Sequence, residues 1–411
     1  MKILSRANIK ILTVVGARPN FMKVAPIIQA IRDHNETAVA PKIEHVLVHT
    51  GQHYDAVMSD GFFTDLGLPK PDVHLGIGSG SHAAQTAEIM KKFEPVIVRE
   101  KPDFMIVVGD VNSTLGCALV TAKISFDATA TRPLIVHVES GLRSFDRTMP
   151  EEVNRVATDH LSDLLFVTEE SGIRNLRNEG ISANKIHFVG NTMIDSLLAS
   201  KEKADSSTVL DELRLRASAQ TIRQYALLTL HRPSNVDDRR SFLKIVEGLK
   251  ELASDYPIIF PVHPRTRQRI RDFDLDFVVH GTTENAINAS DRQRDNPNGI
   301  VLVDPLGYLD FLCLMKNATI VVTDSGGVQE ETTCLGIPCV TVRENTERPV
   351  TVDQGTNMVA GTDPQNIRRV IREQLTTSKN PRTPQNWDGR AAVRIIEKLL
   401  LVSSTKQLAP V

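Results

Sequence analysis

The stretch FMIVVGD (104–110) decides the fold class, because an unbroken apolar run leads straight into a glycine and a carboxylate. A strand with one face in water alternates apolar and polar residues, whereas an unbroken run indicates a strand buried on both faces, as in parallel sheets covered by helices. The pattern occurs in two series. The first comprises KILTVV (10–15), HVLVHT (45–50), FMIVVG (104–109), LIVHVE (134–139), LLFVT (164–168) and IHFVG (186–190). The second comprises YALLTL (225–230), PIIFPVH (257–263), IVLV (300–303), TIVVT (319–323) and CVTV (339–342).

Helix-like segments separate the apolar runs, and they cover residues 81–100, 151–160, 169–179, 240–254 and 364–376. This alternation predicts an α/β protein with two Rossmann-like, doubly wound parallel-sheet domains and a ligand cleft between them. The polar stretch 201–220 has no strand pattern, so we predict an N-terminal domain over 1–190 and a C-terminal domain over 191–388. The last helix, about 389–411, is predicted to return to the first domain. The polar segment 280–299 is predicted to be a surface loop.

The composition excludes several classes of function. Lysine and arginine number 48 against 50 aspartates and glutamates, a formal charge of -2, so the chain lacks the basic field that binding to nucleic acid or a membrane surface requires. The short run ILTVV (11–15) leads into Arg18 and Pro19 without a small-residue cleavage site, which indicates a strand and not a signal peptide. No apolar stretch reaches membrane-spanning length, so we expect a cytoplasmic protein. The cysteines form no paired motif and predict buried free thiols without a metal site: Cys117, Cys313, Cys334 and Cys339.

The turn after the first apolar run, VVGARPNFMK (14–23), departs from a dinucleotide-binding turn. Such a turn needs the glycines of G-x-G-x-x-G so that the backbone can approach a pyrophosphate closely. Here a single Gly16 is followed by Arg18 and Lys23, beyond the carboxyl end of the strand, where parallel sheets bind ligands. The sequence therefore argues against NAD.

Two carboxylates follow buried strands in the first half of the chain. Asp110 ends VVGD, where it is either a cap for the helix at 113–124 or a catalytic group. Glu139 follows LIVHV directly, and an unpaired carboxylate at a buried strand end is costly, so it needs a partner such as Arg143 or Arg155, or a ligand. The structural and the functional interpretation of Glu139 are evenly balanced at this point.

The segment TDSGGVQEE (323–331) is the most informative local pattern of the second half. It follows an apolar run and opens a helix, with Gly326 and Gly327 at the turn. Backbone N–H groups and the helix N-terminus there favour a diphosphate. Glu331 lies one turn further on, where a carboxylate can accept hydrogen bonds from ribose hydroxyls.

Cationic side chains accumulate at the strand ends, as a phosphate ester would require. They are Arg18, Lys23, Arg143, Arg155, His231, Arg232 and Arg348. Solvated surface cations are more often lysines scattered over helix faces. His231 and His263 each end an apolar run, where a lone histidine is more often a satisfied core residue than a ligand.

A set of motifs makes the chain recognisable. They occur in the order GARPNFMK, TGQH, VGD, HVESGLRS, MPEEVNR, GNTMID, LHR, PVHP, PLGYLDF, TDSGGVQEE and TERP. With them the chain resembles the non-hydrolysing UDP-N-acetylglucosamine 2-epimerase family over residues 10–375. The resemblance implies a fold similar to the GT-B glycosyltransferases, a UDP-sugar substrate and a homodimer. It also implies interconversion of UDP-GlcNAc and UDP-ManNAc without NAD, metal or any other cofactor.

The mechanism of that family implies roles for individual residues. UDP is expelled in an anti elimination that leaves a 2-acetamidoglucal, and it is added back after protonation from the other face. By position, the acid/base candidates are Asp110, Glu139 and Glu151, with His231 beside them. The implied binding residues are Arg18 for the nucleotide, Lys23, Arg155 and Arg348 for the sugar-phosphate, Ser325 and Gly327 for the diphosphate, Glu331 for the ribose, Phe311 near the base, and, without a separate role, Gln52, Arg143, Arg232, His263 and Gly326.

One segment departs from the best-known members of the family. ESGLRSFDRTMPE (139–151) is shorter than theirs and has the RSFDR-MPEE form of a branch that includes enzymes acting on UDP-2,3-diacetamido-glucuronic acid. That sugar is therefore an alternative substrate, and a hydrolysing epimerase that releases free ManNAc is another alternative. More remote are a GT-B glycosyltransferase and a nucleotide-sugar-binding regulator, which would have no use for proton-transfer groups.

Overall fold

The computed structural model describes residues 8–37, 41–52, 65–128, 130–218, 220–275, 299–376 and 382–406, except for the side chains of Arg18 and Lys406. The chain divides into two compact units, which we call unit 1 (Met1–Ala199 with Gln385–Val411) and unit 2 (Ser200–Pro384). Each unit is built on a parallel sheet with helices, as the α/β prediction of two Rossmann-like domains requires. Of the polar segment 280–299, predicted to be a surface loop, residues 280–298 lie outside the described residues.

Unit 1 contains a seven-stranded sheet in the order β3-β2-β1-β4-β5-β6-β7, with every neighbouring pair parallel. Its strands are β1 (Asn8–Val15), β2 (Lys42–His49), β3 (Val73–His74), β4 (Phe104–Val108), β5 (Leu134–Ser140), β6 (Leu164–Val167) and β7 (Ile186–Phe188). All residues of β4 are buried, as the unbroken apolar run predicts. The strand order reverses between β1 and β4, and doubly wound sheets bind their ligands at such a switch point.

Helices cover the sheet of unit 1 and close its core. They are Arg18–Thr37, His82–Glu100, Asn112–Lys123, Pro150–Leu161, Glu170–Asn178, Thr192–Ser200 and Ala391–Lys406, with a short 3-10 helix at Ala183–Lys185. Phe93 and Ile97 of one helix pack with Leu12, Val48 and Met105 of three strands in one hydrophobic cluster. Burial of these apolar side chains fixes the strand ends, and hence the polar residues that follow them.

Unit 2 repeats this architecture. Its six-stranded parallel sheet has the order β12-β11-β10-β13-β14-β15. The strands are β10 (Ala226–Thr229), β11 (Pro257–Pro261), β12 (Gly299–Val303), β13 (Ile320–Thr323), β14 (Cys339–Thr341) and β15 (Asn357–Val359). The helices are Val209–Glu212, Pro233–Val236, Arg239–Asp255, Pro264–Asp272, Tyr308–Asn317, Gly326–Leu335, Pro349–Asp353 and Pro364–Thr376, with a 3-10 helix at Lys203–Ser206. The switch point of this sheet lies between β10 and β13.

The structure corrects one element of the sequence analysis and adds others. The polar stretch 201–220, read as free of strands, contains β8 (Arg216–Ser218), which pairs with β9 (Thr221–Ile222) in a small antiparallel hairpin. Its strands are partly exposed, so they lack the apolar run that marks a buried strand. β3 and β15 were missed because neither is a buried apolar run: β3 is only Val-His, β15 is Asn-Met-Val, and both are partly exposed.

The units divide after residues 199 and 384, whereas the sequence places the divisions after 190 and 388. All of the helix Thr192–Ser200 except its last residue belongs to unit 1. Its Asp195 carboxylate caps the last helix, accepting hydrogen bonds from the N–H groups of Ala391 and Ala392 at 3.2 and 2.8 Å. Trp387 also anchors the returning chain to unit 1, since its indole N–H donates to the carbonyl of Thr168 at 3.0 Å.

Two further findings concern the whole described chain. Cys117, Cys313, Cys334 and Cys339 are free thiols, as predicted, although Cys334 is only half-buried. In the described ranges, no helix has both the length and the apolar character needed to cross a membrane.

Candidate active site

A tight turn connects β1 to the helix Arg18–Thr37 at the switch point of unit 1. Asn20 stabilises it: its Oδ1 accepts hydrogen bonds from the N–H groups of Gly16 and Ala17, both at 3.1 Å, while its Nδ2 donates to the last carbonyl of β4. A Cβ atom on Gly16 would lie 2.2 Å from Ser113 Oγ, so only glycine fits. The single glycine of this turn is therefore required by close packing inside the protein.

Lys23 and Glu139 form an ion pair beside this turn. Lys23 Nζ lies 2.6 Å from Glu139 Oε2, and the two side chains are 6% and 3% exposed. Gly109 packs against the pair, because a Cβ there would lie 3.0 Å from Lys23 Nζ. The expected partners of Glu139, Arg143 and Arg155, are engaged elsewhere. The helix after β1 instead carries the lysine amine to the end of β5.

The backbone of Glu139 is strained. Its φ is +69°, a left-handed conformation that residues with a Cβ rarely adopt. The pairing register shifts at the same place, since Val138 pairs with Phe166 and Ser140 with Val167, which leaves Glu139 as the additional residue of a β-bulge. Bulges re-aim side chains, and this one turns the carboxylate toward the buried amine.

Asp110 binds a buried arginine at the end of β4. Arg155 donates to Asp110 Oδ2 from Nε at 3.0 Å and from Nη2 at 2.6 Å. The alternative role of Asp110 as a helix cap is not observed, because the N-cap of Asn112–Lys123 is Val111, without a side-chain hydrogen bond. Both carboxylates at this edge of the sheet are therefore paired with cations.

The adjacent glutamates of the helix Pro150–Leu161 have different surroundings. Glu152 is 3% exposed, and its carboxylate accepts hydrogen bonds from Arg155 Nη1 at 2.7 Å and from the N–H groups of Ser144 and Phe145 at 3.0 and 2.9 Å. Glu151, the acid/base candidate, is half-buried, and no hydrogen bond or ion pair joins it to another described residue. Glu152 thus supports Arg155, whereas Glu151 remains accessible.

Arg143 lies inside a network of buried polar groups. Its Nη2 lies 2.7 Å from both Asp159 Oδ2 and Glu179 Oε2, and its Nη1 donates to the carbonyl of Leu142. Its side chain is 1% exposed. Asp159 Oδ1 also lies 2.6 Å from His137 Nδ1. Burial raises the pKa of Asp159, but the charges of His137 and Arg143 outweigh it and hold the pKa below its ordinary value.

Gln52 makes its hydrogen bonds inside unit 1. Its Oε1 accepts hydrogen bonds from Ser113 N at 3.0 Å and Ser113 Oγ at 2.7 Å, and its carbonyl accepts one from Gln85 Nε2 at 3.1 Å. The Ser113 hydroxyl also lies 2.8 Å from Thr50 Oγ1. Gln52 therefore ties the loop after β2 to the helix that follows Asp110.

The switch point of unit 2 holds a histidine–aspartate pair. His231 Nδ1 lies 2.8 Å from Asp324 Oδ1, with the imidazole 57% exposed and the carboxylate 0% exposed. Asp324 also accepts hydrogen bonds from the N–H groups of His231 and Arg232 and from Asn235 Nδ2. Burial raises the pKa of Asp324, but His231 and these donors outweigh it and leave the pKa below its ordinary value. An exposed imidazole oriented by a buried carboxylate suits proton transfer or hydrogen bonding to a ligand.

An arginine packs over the first turn of the helix Gly326–Leu335. A Cβ on Gly326 would lie 2.9 Å from Arg348 Cζ, so glycine is what lets the guanidinium approach. Arg348 Nε lies 3.0 Å from Glu330 Oε1 and its Nη1 lies 3.1 Å from Glu347 Oε1. A helix N-terminus and an arginine together favour an anion, as a diphosphate site requires.

Two further arginines share the carboxylate of Glu347. Arg232 Nη2 lies 3.1 Å from Oε1 and Arg343 Nη2 lies 2.8 Å from Oε2. Burial lowers the pKa of Arg343 although the negative charge of Glu347 raises it. With Arg348 and Glu330, the cluster holds three guanidinium groups against two carboxylates, an excess of positive charge beside the helix N-terminus.

Glu331 is buried one turn inside the same helix. The Tyr308 hydroxyl donates to its Oε1 at 3.1 Å. Burial raises the pKa of Glu331 to about 8, with Tyr308 acting in the opposite direction and Glu330 in the same one. The carboxyl group is therefore mostly protonated at neutral pH, so it can donate as well as accept hydrogen bonds.

The remaining predicted residues lie at the surface of their units. Ser325 is the N-cap of its helix without a side-chain hydrogen bond, and Gly327 beside it is half-buried. Phe311 is half-buried, whereas His263 is exposed and accepts a hydrogen bond through Nδ1 at the start of its helix. The side chain of Arg18 lies outside the described part of the chain.

The structure adds residues that the sequence analysis did not assign to the site. They are His137, Glu152 and Asp159 in unit 1 and Tyr308, Asp324, Arg343 and Glu347 in unit 2. Asp324 had a usable signal, because it directly follows a buried strand. The others lie inside helices or beside more conspicuous neighbours. Among the described residues, no three His, Cys, Asp or Glu side chains form a group able to hold a metal ion.

Comparisons with known proteins identify relatives of this chain. Residues 35–400 match the model of one protein family, UDP-N-acetylglucosamine 2-epimerase. The UDP-N-acetylglucosamine 2-epimerase of Methanocaldococcus jannaschii is 40% identical over 393 residues, which cover 95% of this chain and 98% of that protein. The UDP-2,3-diacetamido-2,3-dideoxy-D-glucuronate 2-epimerase of Pseudomonas aeruginosa is 38% identical over 397 residues, which cover 95% of this chain and 99% of that protein.

A solved structure shows the same similarity. The crystal structure of the M. jannaschii UDP-GlcNAc 2-epimerase in complex with UDP-GlcNAc and UDP has a TM-score of 0.81 and 39% sequence identity to this chain. The match covers 96% of this chain and 100% of that one. The similarity therefore extends over both units.

Proposed function

The chain belongs to the UDP-N-acetylglucosamine 2-epimerase family, and on that premise we propose that it interconverts UDP-GlcNAc and UDP-ManNAc. The observation that carries the proposal is the pair of carboxylates at one sheet edge, with Asp110 bound to Arg155 and Glu139 to Lys23. Inversion at carbon-2 needs groups that exchange protons with both faces of the sugar, and carboxylates on neighbouring strand ends suit that task. The relatives named as UDP-GlcNAc 2-epimerases support this substrate.

The proposed reaction is an elimination followed by an addition. One group of unit 1 removes the carbon-2 proton, the electrons of that C–H bond form the double bond between carbon-1 and carbon-2, and the bond to UDP breaks. Protonation of the other face at carbon-2 and return of UDP to carbon-1 give the epimer. Asp110, Glu139 and the accessible Glu151 are the acid/base candidates. Lys23 and Arg155, each paired with one of these carboxylates, would hold the sugar-phosphate and offset its developing negative charge.

Unit 2 is proposed to bind UDP. The N-terminus of the helix Gly326–Leu335, with Ser325 and Gly327, offers N–H donors to the diphosphate, and Arg348 adds a guanidinium. The exposed imidazole of His231, oriented by Asp324, would donate a hydrogen bond or a proton to the departing phosphate. Tight retention of UDP would let it add back before water does, which distinguishes this reaction from hydrolysis.

The other predicted residues have proposed roles of different kinds. Glu331 would bind the ribose and Phe311 would lie near the base, while Arg18, Arg232 and His263 remain candidates for contacts with the nucleotide. Two others already make their hydrogen bonds within the protein: Gln52 and Arg143. We propose that those two shape the site without touching the sugar.

A second substrate is supported by a specific observation. The Pseudomonas aeruginosa relative, named for UDP-2,3-diacetamido-2,3-dideoxy-D-glucuronate, is nearly as similar as the archaeal one, at 38% against 40% identity. The RSFDR-MPEE form of segment 139–151 points to the same branch. UDP-GlcNAc remains the first proposal because the greater similarity is to enzymes named for it.

Incubation in deuterated water tests both substrates. The protein is mixed with UDP-GlcNAc or with UDP-2,3-diacetamido-2,3-dideoxy-glucuronate, without NAD and after treatment with EDTA, and proton NMR follows the carbon-2 signal. Epimerisation predicts deuterium at carbon-2 in both epimers of the UDP-sugar. Free ManNAc would identify a hydrolase, and exchange with the second sugar alone would reassign the substrate. Absence of exchange with either sugar would refute the proposal.

Two variants test the acid/base groups. Asp110→Asn and Glu139→Gln preserve shape while removing a proton acceptor, so each should lose epimerisation while UDP still binds. Near-normal turnover in both would contradict their assignment.

The predicted homodimer and cytoplasmic location are part of the same proposal. Light scattering coupled to size-exclusion chromatography measures the first, and fractionation of the producing cells measures the second.

A further inference from the structure

The strained conformation of Glu139 requires something that holds it. A residue with a Cβ rarely adopts the left-handed region, and it persists there only when the surrounding structure over-determines it. Glu139 adopts this conformation at +69° inside a bulge whose neighbouring residues do pair with β6. The ion pair with Lys23 holds the tip of the side chain but leaves the backbone torsion free.

Asp159 contacts the chain on both sides of Glu139. Its Oδ1 lies 2.6 Å from the Nδ1 of His137, two residues before Glu139, and its Oδ2 accepts a hydrogen bond at 3.0 Å from the N–H of Gly141, two residues after. Oδ2 also lies 2.7 Å from Nη2 of Arg143. The side chains of Asp159 and His137 are both 0% exposed, so water does not compete for these bonds.

His137 extends the same network to the other carboxylate. Its Nε2 lies 2.8 Å from the carbonyl oxygen of Gly109. That carbonyl belongs to the peptide group that joins Gly109 to Asp110, so the imidazole fixes the backbone from which Asp110 projects. Hydrogen bonds thus link the buried carboxylate of Asp159 to the backbone next to Glu139 and, through His137, to the backbone next to Asp110.

We propose that Asp159 is a positioning residue that, together with His137, holds Glu139 in its left-handed conformation and so aims the Glu139 carboxylate at the reacting sugar. The part of this inference that concerns catalysis rests on the proposed epimerase function. The hydrogen bonds and ion pairs of Asp159 go to His137, Gly141 and Arg143, so it acts through the residues that flank Glu139. Its location in the helix Pro150–Leu161 makes that helix part of the positioning machinery.

The test compares two variants that each remove one acidic partner of Arg143. Asp159→Asn keeps the shape but cannot hold His137, Gly141 and Arg143 together. A displacement of about 1 Å costs on the order of 100-fold in rate, so we expect kcat to fall about 100-fold while KM and the Kd of UDP change less than about twofold. Glu179→Gln removes the other partner of Arg143 without touching a residue that flanks Glu139. Its kcat should stay within about threefold of the wild type, as for a weakened partly exposed ion pair.

A crystal structure of the Asp159→Asn variant supplies a readout that needs no substrate. We expect the φ of Glu139 to leave the left-handed region and its distance from Lys23 Nζ to exceed about 4 Å, beyond ion-pair contact. An unchanged φ with wild-type kcat would overturn the proposal, and so would an equal loss of kcat in Glu179→Gln. If the wild-type protein is inactive on both sugars, the proposed function fails, while the torsion still decides the role of Asp159.

A second pair of variants applies if Asp159→Asn does not fold. In His137→Asn the amide nitrogen replaces Nδ1 and keeps the bond to Asp159, whereas in His137→Gln it replaces Nε2 and keeps only the bond to Gly109. The proposal predicts the larger displacement of Glu139 and the larger loss of kcat in His137→Gln. The reverse order would overturn it.

Discussion

Replacing Lys23 by methionine measures how much stability depends on the buried ion pair with Glu139. At 2.6 Å and an effective dielectric constant of about 20, the gross attraction is about 6 kcal/mol, from which the desolvation of both ions is subtracted. Removing one partner of a buried pair costs about 3–5 kcal/mol, because the other charge stays buried without compensation. We therefore expect Lys23→Met to lower the free energy of unfolding of unit 1 by that amount.

The single tryptophan of the chain is a fluorescent probe for the unfolding of unit 1. Trp387 is the only tryptophan of the chain, it is 2% exposed, and its indole donates to the carbonyl of Thr168 in unit 1. Its fluorescence during urea titration therefore reports the unfolding of unit 1 separately from unit 2. This separation matters because a chain with two units need not unfold in a single two-state transition.

A double-mutant cycle completes the experiment. Lys23→Met combined with Glu139→Gln removes both charges, so we expect the double variant to be more stable than Lys23→Met alone. Lys91→Met serves as the control, because the Lys91–Glu88 pair is 72% and 47% exposed and is screened by water, so its loss should leave the free energy of unfolding nearly unchanged. A loss below about 1 kcal/mol in Lys23→Met would refute the reasoning, as would a double variant no more stable than the single one.

Three further predictions concern unit 2. Gly326→Ala places a methyl group 2.9 Å from Arg348 Cζ, so we expect the guanidinium to move. The affinity for UDP, measured by calorimetry, should then fall about tenfold. An unchanged Kd would show that Arg348 does not bind the diphosphate. His231→Gln should lower kcat about 10²–10⁴-fold, because the amide cannot transfer a proton. UDP binding should be preserved, because the amide can still donate a hydrogen bond to the phosphate. A small change in deuterium exchange at carbon-2 would contradict this. Burial raises the pKa of Glu331 from 4.5 to about 8, so the folded state binds this proton more tightly than the unfolded state does. The free energy of unfolding of unit 2 should therefore fall as the pH rises from 4.5 to about 8, by up to about 1.4 kcal/mol per pH unit. Hydrogen exchange measures that slope, and its persistence in Glu331→Gln would assign it to another group.

The strand ends were predictable because their signal is local. A strand buried on both faces is largely apolar, so the run before Asp110 located β4 and the run before Glu139 located β5, although β5 continues through Glu139 to Ser140. The two-domain α/β class followed from the repetition of such runs. The helix at TDSGGVQEE was predictable for a similar reason, since only two residues separate its glycines from an apolar run.

The partners of these residues were not predictable, because pairing depends on the direction of side chains from distant elements. Sequence proximity suggested Arg143 or Arg155 for Glu139, but Lys23 reaches it from the helix after β1. The phase of a helix likewise decides which of two adjacent glutamates is buried. In MPEEVNR the sequence alone does not separate Glu151 from Glu152, whereas the packing buries the second.

The return of the last helix to unit 1 has a consequence for synthesis on the ribosome. Residues 391–406 are translated after every strand of unit 2, yet the helix Ala391–Lys406 packs against Arg18–Thr37 and is capped by Asp195. Domains usually fold in the order in which they emerge, but here unit 2 is continuous and can finish first. Until the last helix emerges, the nascent chain exposes the apolar surface of unit 1 that this helix covers, which is where a chaperone would bind it.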